Sequence, residues 1–444
     1  MASMLITNAL TVNEGRSTHQ DLLIRDGRID AIGGDLSGRN AGRVIDADGR
    51  ALFPGMIDDQ VHFREPGLTH KGDIRSESRA AVAGGITSYM EMPNTSPPTT
   101  TTDLLEEKHR IARETSFANF SFYLGGANDN IEAVKRLDPR QTCGVKVFMG
   151  ASTGNMLVDD PDALEQIFTH SPTIVATHCE DSPTIEENTR RFQAIHGEDI
   201  PLVLHPAIRS EAACYQSTAL AVELARRCHT RLHVLHLSTA KELDLFDSKP
   251  LDEKRITVEV CVHYLLFSGT DYRDKGNLIK CNPAIKTETD RRQLLAALQE
   301  GKIDVVGTDH APHTLAEKQQ PYLRAPSGLP LVQHALVSLL EHVHDGTLTL
   351  EQVVEKTAHG PARLFDIKER GYLREGYWAD LVLVDLTRPS VVDDQPVLYR
   401  CGWTPFSGFT FRSTVTATFV GGHLAFDDGK IDAVPKGKRL EFNR

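Results

Sequence analysis

Eight short apolar runs punctuate the middle of the chain, at residues 56–62, 87–92, 118–124, 144–149, 174–178, 232–237, 256–261 and 304–308. Runs of this length, largely apolar rather than alternating, read as strands buried on both faces. Between them lie amphipathic stretches of helical periodicity, clearest at 76–83, 102–114, 161–169, 211–228, 242–248 and 290–298. Eight strands alternating with helices predict an α/β fold, a (β/α)8 TIM-type barrel. A doubly wound open sheet shares the alternation, but no Gly-rich phosphate loop follows the first strand.

The two ends of the chain have another character. Residues 5–7, 21–25 and 29–32 read as short strands, and Asp26-Gly27-Arg28 between the last two signals a hairpin turn. The same style returns beyond Gly371, with strands expected at 379–385 and 413–420 and a turn at Gly421-Gly422. Like segments at both termini predict one small composite β-sandwich domain, built from 1–53 and 371–444, beside a barrel of 54–370.

Composition narrows the class without naming a reaction. Hydrophobic residues at 40 % and charged residues at 25 % of 444 are ordinary for a globular chain, long enough to bury a core without disulfides. A net charge of −12 argues against a nucleic-acid partner, which demands a basic face. A small anionic substrate needs only local positive charge. Seven scattered cysteines without a CxxC pair fit a reducing compartment, so a cytoplasmic location is expected. The opening Met1–Asn8 lacks a secretory leader's features, and no apolar run is long enough for a membrane span.

Catalytic residues of a parallel barrel gather at the C-terminal ends of its strands. There the sequence places Gln60, His62 and Arg64 after strand one, sharing a face with Asp58 if the extended conformation continues. Lys146 lies in strand four, His178 ends strand five, His236 ends strand six and Asp309 follows strand eight. A single barrel histidine is more often structural, and a buried Lys146 could simply pair with Asp309. Their joint occurrence at one level supplies imidazoles and a carboxylate suited to zinc, with a coordination position left for water.

Three motifs sharpen this. Pro54-Gly55-Met56-Ile57-Asp58, continued by His62-Phe63-Arg64-Glu65-Pro66-Gly67, then Met92-Pro93-Asn94-Thr95, and Gly307-Thr308-Asp309-His310-Ala311-Pro312-His313 resemble the dihydroorotases of the amidohydrolase superfamily. The closing Gly376-Tyr377-Trp378-Ala379-Asp380-Leu381 resembles that superfamily's return into its small β domain. The resemblance implies reversible cyclisation of N-carbamoyl-L-aspartate to L-dihydroorotate in pyrimidine synthesis. It implies one or two zinc ions, with carbon dioxide held as a carbamate on Lys146. His62, Lys146 and Asp309 would hold a first metal, Lys146, His178 and His236 a second, and Asp309 would shuttle the proton. Arg64 would bind the substrate carboxylate, with Asn94 and His313 completing the anion site and Asn282 contacting the ring. The loop Ala325-Pro326-Ser327-Gly328 either offers backbone groups to the ring or shapes a turn.

The chain departs from the family at one ligand. Where dihydroorotases carry His-x-His it has Gln60-Val61-His62. Gln60 ligates through its amide oxygen, or the site works with one tightly held metal, or catalysis is lost. The last reading would make the chain a non-catalytic subunit scaffolding aspartate transcarbamoylase. Another alternative is an allantoinase or hydantoinase acting on related cyclic ureides. The expected partner is a small-molecule substrate, with homo-oligomerisation left open.

Overall fold

A computed structural model describes residues 3–150 and 156–444. The eight strands expected in the middle of the chain are Met56–Val61, Ile86–Glu91, Asn119–Phe122 continued by Leu124–Gly125, Val145–Phe148, Val175–His178, Leu232–Val234, Ile256–Cys261 and Val305–Gly307. All pair in parallel with their sequence neighbours. The ring closes where Val61 bridges His310 in parallel and the His62 amide donates to the His310 carbonyl at 2.7 Å. Nearly every residue of these strands is buried, as a sheet covered by helices outside and packed side chains inside requires.

Five of the six expected helices form, at Ile74–Ala83, Thr102–Thr115, Pro161–His170, Glu211–Cys228 and Glu288–Gln299. The stretch expected to be helical at 242–248 is instead a single 3-10 segment, Lys241–Leu245, after which Phe246 turns extended. Pro250 follows closely and leaves too few residues for a stable α-helix. Ser182–His196 is a helix whose pattern did not announce it: only Ile185 is buried, so it lacks an apolar stripe. Its Asp181 cap and Pro183 in the first turn start it.

Strands from both ends of the chain merge into one nine-stranded sheet. Leu381–Asp385 is the seam, pairing antiparallel with Ala51–Pro54 on one side and Thr414–Val420 on the other. Ser3–Asn13, far longer than the expected 5–7, divides one edge between Arg43–Asp46 and Ala51–Pro54, so the sheet branches round a core of its own. Asp26 and Gly27 take positive φ at the expected hairpin turn. Gly27 has a second reason to be glycine, because a Cβ there would meet the Gly421 carbonyl oxygen at 2.7 Å. Beyond this sheet the chain returns to the barrel. Phe120 exchanges backbone hydrogen bonds with Lys438 and Leu440, and the Phe442 amide donates to the Arg140 carbonyl. These contacts lie at the N-terminal ends of the barrel strands, opposite the face now described.

Candidate active site

At the C-terminal ends of the strands the barrel opens into a cavity of about 190 Å³. All ten side chains singled out in the sequence line it. Gln60, His62 and Arg64 come from the first strand and its exit, Asn94 from the second, and Lys146 from the fourth. His178, His236 and Asn282 follow from the fifth, sixth and seventh, and Asp309 and His313 from the eighth. The loop of Pro326, Ser327 and Gly328 forms one wall. Arg64, His236 and Asp309 all adopt left-handed backbone conformations, with φ of 71°, 43° and 50°. Such conformations cost of order 1–3 kcal/mol each and concentrate where function needs a side chain aimed.

The first strand corrects a simple expectation. Its pairing slips between Asp58 and Val61, and Arg64 is not extended, so residues 58 to 64 do not share one straight face. Asp58 leaves the cavity and accepts hydrogen bonds from Thr308 Oγ1 at 2.6 Å and from the Thr308 amide at 3.1 Å, tying strand one to strand eight. Asp59 points into the barrel beneath the cavity instead.

The imidazoles turn ring nitrogens toward one another and toward Asp309. His62 places Nδ1 2.7 Å from Asn94 Oδ1 and Nε2 2.9 Å from Asp309 Oδ1, with which it shares a proton. His178 Nε2–H donates to Glu180 Oε2 at 3.0 Å, leaving Nδ1 to face His236 Nε2 across 3.0 Å. Glu180 is itself held by Arg209. Burial keeps His62, His178 and His236 below the usual histidine range. Burial opposes the charge of Asp309, yet its hydrogen bond to His62 and the surrounding imidazoles outweigh that and hold it low. Lys146 is 1 % exposed, and among the described residues its ammonium forms neither ion pair nor hydrogen bond, resting 4.7 Å from the Phe148 ring centre. The ion pair with Asp309 weighed from the sequence is therefore not formed. Burial brings the Lys146 pKa down to about 8, where a reactive neutral amine is accessible. Facing ring nitrogens, a carboxylate and a lysine without a partner among the described residues form a donor set that fits zinc.

Gln60 turns its amide nitrogen, not its oxygen, toward the set, donating to Asp309 Oδ1 at 3.1 Å. On the opposite wall Arg64 is 7 % exposed and, among the described residues, has no carboxylate partner. Its Nε donates to the Pro312 carbonyl, and Nη2 lies 3.1 Å from His313 Nε2. Burial lowers the Arg64 pKa to about 10 without discharging it.

Sequence reasoning missed several residues that shape this site. Lys71 reaches His313 Nδ1 at 3.1 Å, and Lys318 donates to the carbonyls of Lys280, Pro326 and Gly328, pinning the wall loop. Lys71 follows Arg64 closely and Lys318 follows His313 closely, so proximity to the motifs was the one available signal. Beneath the cavity Asp59, His233 and Glu259, all fully buried, bring one potential ligand atom each within 4.8 Å of one another. His233 Nε2 meets Asp59 Oδ2 at 3.0 Å and its Nδ1 meets Thr257 Oγ1. Burial and the Asp59 charge push Glu259 well above the carboxylate range, so a proton retained within the trio satisfies it as well as a cation would.

Comparison with known proteins agrees with this geometry. The sequence pattern of the Amidohydrolase family matches residues 51–425. A dihydroorotase of Halobacterium salinarum is 35 % identical over 418 residues, covering 93 % of this chain and 95 % of that one. An allantoinase of Bacillus velezensis is 30 % identical, covering 96 % and 94 %. The solved structure of L-hydantoinase (dihydropyrimidinase) from Arthrobacter aurescens superposes with a TM-score of 0.93 at 27 % identity, covering 99 % of this chain and all of that one. With its barrel, its small sheet drawn from both termini and its polar mouth, the chain belongs to the amidohydrolase family and is a hydrolase of cyclic amides.

Proposed function

We propose that the protein is a cytoplasmic dihydroorotase, interconverting N-carbamoyl-L-aspartate and L-dihydroorotate for de novo pyrimidine synthesis. One observation carries the choice among cyclic amides: a buried guanidinium at the cavity wall with no carboxylate partner among the described residues. A buried charge left unpaired is costly, so a site that keeps one is built for a ligand that brings the opposite charge. Dihydroorotate carries a carboxylate; hydantoin and allantoin do not.

The remaining residues then take definite tasks. The free edge of the Arg64 fork grips the substrate carboxylate, with Asn94 and His313 beside it. Asn282 Oδ1, buried without a hydrogen-bond partner among the described residues, is an acceptor for a ring N–H. His178 and His236 would hold one zinc with Lys146, which carbon dioxide would carbamylate, and His62 and Asp309 would hold a second beside the same lysine. Zinc at these positions supplies an acidified water and a polarised carbonyl. Asp309, held ionised among the imidazoles, would carry a proton between the attacking water and the departing ring nitrogen.

The test is turnover of dihydroorotate, allantoin and hydantoin side by side, using protein supplied with zinc and bicarbonate. Dihydroorotate should lead clearly. A lead for allantoin or hydantoin would move the assignment to those enzymes. No turnover of any of the three would favour the scaffold reading, with aspartate transcarbamoylase as its partner.

A further inference from the structure

His313 sits between two cations, and their chemistry fixes its protons. Lys71 Nζ lies 3.1 Å from Nδ1 and is also bound to Glu317 at 2.9 Å. An ammonium has donors only, so Nδ1 must accept and cannot carry a proton. The proton of the neutral ring is therefore on Nε2, which reaches the Ser327 carbonyl at 3.1 Å. A flipped ring would set carbons against both Lys71 and Ser327. Burial and the charges of Arg64, Lys71 and Lys318 hold His313 well below the usual histidine range, so it stays neutral.

The consequence lies on the cavity side. Arg64 Nη2, also a donor only, stands 3.1 Å from the same Nε2. Two N–H groups at that distance cannot bond each other, so Arg64 keeps an N–H for an incoming carboxylate oxygen, and the Nε2–H that rests on the Ser327 carbonyl is shared with that same oxygen. In the other tautomer Nε2 would carry a lone pair. That lone pair would capture Arg64 and repel a carboxylate oxygen.

We propose that Lys71 is a positioning residue that locks His313 as an Nε2–H donor, so that His313 and Arg64 together select a ring bearing a carboxylate. Its kinetic part rests on the dihydroorotase reading above; its tautomer part does not. Lys71 does not line the cavity and reaches it through His313. Its place is set by the turn after Arg64, where Leu68 N–H donates to the Arg64 carbonyl and Lys71 N–H to the Leu68 carbonyl.

The test uses full-length protein labelled with ¹⁵N-histidine, in which long-range ¹H–¹⁵N spectra report each ring's tautomer and His313→Gln identifies the signal. Wild type and Lys71→Arg, which keeps a donor opposite Nδ1, should show the Nε2–H form. Lys71→Met should lose it. In parallel, KM for dihydroorotate should rise about ten- to a hundredfold in Lys71→Met, with kcat changing less and Lys71→Arg restoring most of the loss. A wild-type ring protonated on Nδ1, or doubly protonated, overturns the proposal. So does a Lys71→Met protein that keeps both the Nε2–H form and its KM. Expected tautomers in a protein that does not turn over dihydroorotate would uphold the role of Lys71 and sink only the substrate.

Discussion

Lys146 is the residue whose environment is hardest to explain without further chemistry. A lysine buried in a barrel strand normally finds a carboxylate or sheds its charge, and here the described residues offer no such partner. Carbamylation, as proposed above, would answer this by turning the amine into an anion able to share a metal with the facing imidazoles. Lys146→Ala should then lose zinc and activity together, and short carboxylic acids should restore part of both. Full zinc content in that variant without added acid, measured by elemental analysis, would exclude the bridge. Gln60 makes a second prediction. Its amide nitrogen donates to Asp309, so the Asp309 side of the site has a hydrogen-bond donor where the resemblance to dihydroorotases led one to expect an imidazole. Gln60→His should raise zinc bound per chain, while wild type should hold the His178–His236 metal more tightly. Equal occupancy of two zinc ions in both proteins would show that His62, Asp309 and Lys146 suffice. The residue types were legible in the sequence because barrel topology dictates where strand ends meet. The orientation of Gln60 and the Lys71–His313 contact were not, since both depend on a side-chain rotation or a turn that periodicity does not encode.

Among the elements, the wall loop of Pro326, Ser327 and Gly328 is positioned from behind. Lys318 spends all three ammonium donors on backbone carbonyls, and Lys280 adds bonds to those of Tyr322 and Ala325. Lys318→Met fills a similar volume but orphans those carbonyls. It should cost about 2 kcal/mol or more by chemical denaturation and raise KM by loosening the wall. Unchanged stability would mean that water replaces the ammonium freely. The eight strands were readable because each is a buried apolar run between helices. The helix Ser182–His196 was not, because a nearly wholly exposed helix leaves no hydrophobic period. The slip in strand one was equally silent, although it decides that Asp58 braces Thr308 while Asp59 joins His233.

The whole molecule is held by both ends of its chain. One terminal segment supplies five strands and the other four to the small sheet, and the last residues then cross to the barrel floor. Phe442 is 3 % exposed there, so Phe442→Ala should destabilise the fold by about 3 kcal/mol in a denaturant titration. Its kinetics at low temperature should stay close to wild type, because the floor is remote from the cavity. A loss of turnover without loss of stability would show that the floor communicates with the mouth. The sequence suggested a domain made from both ends, but the return to the barrel left no mark in it. At this scale the net charge of −12 opposes an anionic substrate, and the buried Arg64 guanidinium supplies the local positive charge on the cavity wall. The account therefore rests on that wall reading a carboxylate. The most direct measurement is kcat/KM for dihydroorotate in wild type and Arg64→Lys, both zinc-loaded and supplied with bicarbonate. Wild type should turn the substrate over, and the lysine variant should lose about 2 kcal/mol or more of transition-state binding, because a point charge cannot reproduce the fork. Equal kcat/KM in the two proteins would contradict the account.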